Sequence, residues 1–133
     1  TVRLWDLDTG KCVRVLAGHT DRVRAICFSP TGDILATASE DKTVRLWNIA
    51  GGQLLHTLTG HTAAVMRCRF SPDGRHLLSV SKDGTVKLWE IPAGNCLTSL
   101  LVDGPLAHCA WFSDGRRFVA TGARGVYFLQ VIW

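Results

Sequence analysis

The sequence predicts an all-β fold made of repeated, four-stranded antiparallel sheets, and three observations predict it. The heptad TVRLWDL at 1–7 recurs as TVRLWNI at 43–49 and as TVKLWEI at 85–91, each time 42 residues further on. Residues 16–57 laid over 58–99 without gaps give 19 identities in 42 positions. Apolar and polar residues alternate in short runs bounded by Gly- and Pro-containing turns, which is the period of strands rather than helices.

The elements follow in order. Residues 1–15 read as the third and fourth strands of a partial unit. In the complete unit 16–57, VRAICF supplies a first strand with Val23, Ile26 and Phe28, and Pro-Thr-Gly turns the chain into a second, with Ile34 and Leu35. The third strand, TVRLW, places Val44 and Leu46 on one face and Thr43, Arg45 and Trp47 on the other. The turn GGQ then leads into LLHTL as the fourth. The complete unit 58–99 repeats this plan, with AGN before CLTSL. Residues 100–133 form a degenerate unit that lacks a fourth strand. Sheets of four strands repeated at this period make propeller blades, so the expectation is a partial arc of about three of the 4–8 blades of a typical ring. Two of its blades are complete and two are partial.

The pattern GH…SP.G…D.TV.LW resembles the WD40 repeat, and the resemblance covers essentially the whole chain. It implies that the repeated Trp belongs to a hydrogen-bonded chain of four side chains that stiffens each blade. Carried over by position, the first set is His19, Thr37, Asp41 and Trp47, and the second is His61, Ser79, Asp83 and Trp89. Thr37 is preferred to Ser39, and Ser79 to Ser81, on the family pattern. The last unit departs from it: Asp103 stands at the histidine position, Arg124 at the aspartate and Gln130 at the tryptophan, while FSDG at 112–115 lacks the proline. Trp111 and Trp133 are not brace residues and are expected to supply packing area. The resemblance further implies a C-terminal piece of a larger propeller, with the missing blades as one partner of the open ends.

A His, an Asp and a hydroxyl within one unit could suggest a hydrolase triad. The same trio recurs in the next unit, and a reaction centre has no reason to repeat once per blade, so a structural role is expected and no enzyme. No paired-carboxylate cleft, metal-ligand cluster or activated nucleophile stands out, and no cofactor is expected. The net charge of +4 is mild, with Arg and Lys interspersed among Asp and Glu, and no aromatic-and-basic stripe accompanies it. That balance argues against nucleic acid as the ligand. No apolar run reaches the roughly 18 residues of a membrane helix. The five cysteines, 12, 27, 68, 96 and 109, form no CxxC pair, and three fall in apolar strands, where a thiol behaves as a small hydrophobe. A reducing compartment follows, intracellular and cytoplasmic, with the nucleus as a variant.

Loops on a rigid scaffold carry binding function. The family's top face maps here to Glu40 and Lys82, beside the brace aspartates, and to Arg22, Arg24, Ala64, Met66, Leu106 and His108 around the first strands. The leading expectation is a non-catalytic scaffold that binds a protein or peptide on this face. The alternative is the regulatory C-terminal propeller of a multidomain STAND-type signalling NTPase, whose phosphate loop GxxxxGK[ST] this chain lacks. His56, His76 and the Arg116–Arg117 pair carry no functional expectation.

Overall fold

The computed structural model describes residues 1–132, and these described residues form thirteen strands and no helix. Trp133, expected to pack, lies outside the described residues. The first sheet is β1 (Val2–Trp5) with β2 (Cys12–Leu16). The second runs β3 (Val23–Phe28), β4 (Ile34–Ser39), β5 (Val44–Asn48), β6 (Leu54–Leu58) in that spatial order. The third has the same order: β7 (Val65–Phe70), β8 (His76–Ser81), β9 (Thr85–Glu90), β10 (Cys96–Leu101). The fourth holds β11 (Leu106–Trp111), β12 (Arg117–Gly122) and β13 (Gly125–Gln130). All pairings are antiparallel. The protein is thus an all-β arc of propeller blades.

The sheets stack face to face, and each interface has its own core. Val2, Leu4 and Leu16 of the first sheet meet Leu35 and Trp47 of the second. The second sheet's other face, with Ala36, Ala38, Val44 and Leu46, meets Cys68, Phe70, Leu77 and Trp89 of the third. Leu78, Val80, Val86 and Leu88 then meet Leu106, Cys109, Phe118 and Ala120 of the fourth. The alternation within TVRLW explains this sandwiching: Leu46 enters one core and Trp47 the other. Strands β4 and β8 are covered on both faces, and small residues there let the sheets approach.

The inner strands β3, β7 and β11 touch one another along the arc. Each carries the same bulge at its start, so that Val23, Val65 and Leu106 oppose Ser39, Ser81 and Gly122. Val23 and Val65 are 42 residues apart, but Val65 and Leu106 are 41 apart. The last sheet is therefore displaced by one residue from the sequence period. The loss lies in the β10–β11 connection, because the following turn keeps its full length. There the Gly115 N–H donates to the Phe112 carbonyl, as Gly74 does to Ser71 and Gly32 to Ser29. Phe112 therefore takes the serine place and Ser113 that of the proline. Ser29 and Ser71 hold their turns by hydrogen bonds to Asp33 and Asp73. Phe112 instead lies under the Arg117 guanidinium, 5.0 Å from it.

Candidate functional site

Antiparallel order puts the β4–β5 and β8–β9 turns at the same end of the arc as the connections entering β3 and β7. Two polar chains tie these loops together. His19 Nδ1 is 2.7 Å from Asp41 Oδ2 and its Nε2 2.7 Å from Thr37 Oγ1, which accepts the Trp47 indole N–H at 2.9 Å. The second chain repeats it: His61 Nδ1 to Asp83 Oδ2 at 3.0 Å, Nε2 to Ser79 Oγ at 2.7 Å, and the Trp89 N–H to Ser79 Oγ at 2.8 Å.

One proton arrangement satisfies every group. The indole donates to the hydroxyl oxygen, the hydroxyl donates to Nε2, and Nδ1–H donates to the carboxylate, with a neutral imidazole between. Burial pushes the His61 ring below its usual 6.5 against the opposing pull of Asp83, with nearby Lys87 adding to the drop. At Asp41 burial works toward a higher value, but donors from Thr43, His19 and the Thr20 and Thr43 N–H groups outweigh it, and the carboxyl falls to about 2. Asp83 is likewise held at about 2, where the Thr85 hydroxyl and the Thr62 and Thr85 N–H groups, with His61, overcome the effect of burial. The hydroxyls of Thr37 and Ser79 are fully buried, and their proton and lone pair are both engaged. They have no access to a substrate carbonyl.

Sequence reasoning missed Thr43 and Thr85, whose hydroxyls donate to Asp41 and Asp83 at 2.6 Å in both sheets. The repeated D-x-T spacing was the available signal. It also passed over the role of the two serines set aside. Ser39 Oγ accepts the Asp41 N–H and donates to the Asp21 carbonyl, and Ser81 Oγ accepts the Asp83 N–H and donates to the Ala63 and Ala64 carbonyls.

In the last sheet Ala120 stands where Thr37 and Ser79 stand, and the tryptophan place falls to Leu129 rather than to the expected Gln130. Leu129 pairs with Phe118 as Trp89 does with Leu77, and Gln130 is exposed one position further on. An exposed Arg124–Asp103 pair at 3.9 Å occupies the loop end. Trp111 packs edge-on against Phe118 at 5.5 Å and donates its indole N–H to the Arg69 carbonyl, joining the fourth sheet to the third.

The expected top-face residues are distributed as follows. The Glu40 N–H donates to the Arg22 carbonyl and the Lys82 N–H to the Ala64 carbonyl, which holds those four together on one rim. The Arg24 guanidinium pairs with the Glu40 carboxylate. Arg22, Arg24 and Lys82 are exposed, and Glu40, Ala64 and Met66 are half-buried. Leu106 requires correction. It is 1% exposed and belongs to the core between the third and fourth sheets, because the one-residue displacement puts Pro105 and Ala107 at the places of Ala64 and Met66. The same displacement aligns His108 with Arg67 rather than with Met66, and Arg67 Nη2 is 2.8 Å from His108 Nδ1.

All five cysteines are free thiols, with Cys12 and Cys96 exposed and Cys68 and Cys109 buried. Burial pushes Cys109 up to about 12 and Cys68 well above its ordinary value, so neither is a nucleophile. Among the described residues no group of three or more His, Cys, Asp or Glu is placed to hold a metal ion, and no helix is long and apolar enough to cross a membrane.

Comparison with known proteins matches residues 10–48 and 52–90 to the family model described as "WD domain, G-beta repeat". Each matched window spans an outer strand of one sheet and the first three strands of the next. The chain is 46% identical over 43 residues to nuclear distribution protein PAC1 of Gibberella zeae, a stretch covering 32% of this chain and 9% of that protein. It is 49% identical over 43 residues to nuclear distribution protein PAC1-2 of Uncinocarpus reesii, with the same coverage. It is 48% identical over 40 residues to the periodic tryptophan protein 2 homolog of Mus musculus, or 30% of this chain and 4% of that one. The chain thus spans less than a tenth of the length of these relatives, and none of their names denotes an enzyme.

Proposed function

The chain belongs to the WD40 family, and from that premise we propose that it is a non-catalytic interaction module whose rim of β4–β5 and β8–β9 turns receives a peptide segment of a protein partner. The observation that carries this reading is the state of the two His–Asp–hydroxyl–Trp chains. Their reactive groups are spent on one another, which leaves a rigid rim rather than a reaction centre. On that rim Arg22, Arg24, Glu40, Ala64, Met66, Lys82 and His108 are the contact residues. Arg and Met suit such a role, the first as an interface anchor and the second as an adaptable apolar contact.

Two open faces take a different partner, further sheets of the same kind. One is a cleft of about 740 Å³ beside β3, bordered by Trp5, Val13, Ile26 and Phe28. The other is the face of the last sheet that carries Val126 and Phe128. The free thiols support a reducing, intracellular setting, the cytoplasm in the first instance.

Replacing Arg22 and Arg24 together by Glu tests the rim. Affinity capture followed by mass spectrometry should lose the specific partners of the wild type, while the melting temperature stays within about 2 °C, as befits exposed positions. The pair Arg75→Glu and Arg116→Glu, at the opposite end, should leave capture intact. Retained partners in the first variant, or equal loss in the second, would refute the placement.

A further inference from the structure

We propose that the inner edge of the junction between the third and fourth sheets, at β7 and β11, is an acidic-peptide site in which Arg67 and His108 hold one carboxylate and Arg69 steers a second. The proposal rests on the rim reading above and names the chemistry of its partner.

The inner strands β3 (VRAICF), β7 (VMRCRF) and β11 (LAHCAW) contain three arginines and a histidine but no Asp or Glu. Of the cations, Arg24 is neutralised by Glu40. Arg67 and Arg69 form no ion pair among the described residues. Among the remaining carboxylates, Asp41 and Asp83 are committed to their histidines, and Asp33, Asp73 and Asp114 to turns at the opposite end. Strand alternation sends Arg67 and Arg69 to one face, opposite Val80 and Leu78, toward the fourth sheet.

There the Arg67 guanidinium donates to His108 Nδ1 at 2.8 Å. An imidazole that accepts at Nδ1 carries its proton at Nε2, so His108, an exposed residue, presents an N–H donor beside the remaining N–H groups of Arg67. Adjacent planar donors with an uncompensated charge match a carboxylate. Single-stranded nucleic acid fits less well. The nearby aromatic, Trp111, is half-buried, stacked edge-on against Phe118 and bonded to the Arg69 carbonyl, so it offers no face for a base.

The test is fluorescence anisotropy with the intact protein at physiological ionic strength, where surface charges further apart than about 8 Å are screened. The probes are a labelled octapeptide of alternating Glu and Gly, its Gln–Gly counterpart, and octauridylate. The Glu peptide should bind and the Gln peptide should not. Arg67→Gln with Arg69→Gln should weaken binding about tenfold or more, Arg67→Lys with Arg69→Lys should restore part of it, and Arg75→Gln with Arg116→Gln should stay within about twofold of wild type. A thermal melt of each variant separates lost binding from lost fold. Binding that survives the Arg67/Arg69 change but is abolished by Arg22→Gln with Arg24→Gln overturns this inference and leaves the rim reading standing. Indifference to both pairs overturns both. Tighter binding of octauridylate than of the Glu peptide replaces the peptide with nucleic acid.

Discussion

Thr37 and Ser79 show how a single hydroxyl can close a polar chain. Each accepts an indole N–H and donates to an imidazole, so a group that would otherwise cost free energy when buried costs little. The electrostatics give these chains a pH signature. A carboxyl held at about 2 against a usual 3.8 contributes stability that is present above about 3.8 and lost as pH falls toward 2, and both Asp41 and Asp83 behave so. His61, depressed below 6.5, contributes stability that is full above that value and declines as pH falls beneath it. The urea midpoint should therefore hold above neutrality, begin to fall below pH 6.5, and fall again from about 4 toward 2. Asp83→Asn should shrink the lower step without removing it, since Asp41 and the turn carboxylates Asp33, Asp73 and Asp114 are also depressed. A midpoint unchanged across the lower window would refute the assignment.

At the scale of strands and sheets, the two braced sheets and the unbraced one differ in what fastens their third strand. In the second sheet Trp47 fills a core with Leu35 and also bonds across to β4. Trp47→Phe keeps most of the ring but strands the Thr37 oxygen without its donor, and should cost about 1–3 kcal/mol in chemical denaturation. A loss no larger than an exposed substitution gives would show that the bond is dispensable. The last sheet holds β13 by packing of Tyr127 and Leu129 alone among these groups, with Tyr127 donating from its hydroxyl to the Asp103 carbonyl.

The same scale decides what was legible. Period-two alternation marked strands such as TVRLW, the flanking turns and the repeat marked the doubly covered β4 and β8, and the recurrence of His, Asp and Trp located the polar chains, because all three patterns are local. The displacement of the fourth sheet was not legible, since one residue lost in an irregular connection leaves no local mark yet turns the side chains of β11 and β12 to the face opposite the one a 42-residue period assigns. A second residue lost in the β12–β13 turn restores the alternation in β13. Leu106 was misplaced for that reason. Arg67 was overlooked because the family's top-face positions map to Ala64 and Met66, and the bulge at Val65/Arg67, which sets the facing of the next residue, is not visible in that pattern.

The whole molecule is a stack with two unlike ends. At one, Ile26 is 46% and Phe28 50% exposed; at the other Phe128 is 74% exposed. Apolar faces of this kind in contact with water mark association surfaces. The 133-residue chain by itself should therefore self-associate, and sedimentation velocity should show its apparent mass rising with concentration. Phe28→Glu together with Phe128→Glu should shift that distribution toward 14.6 kDa. A wild-type chain that sediments as a single 14.6 kDa species at all concentrations would mean that the faces are closed by some rearrangement.

The matched windows are out of step with the sheets, each running from an outer strand through three strands of the next sheet. Excising residues 49–90 would join Asn48 to Ile91 and hand β10 to β5 as its neighbour, so the surviving sheet would again count four strands. Gain or loss of one period therefore leaves no sheet short of a member, and copy number in such a gene can drift by whole units while every remaining fold layer stays intact.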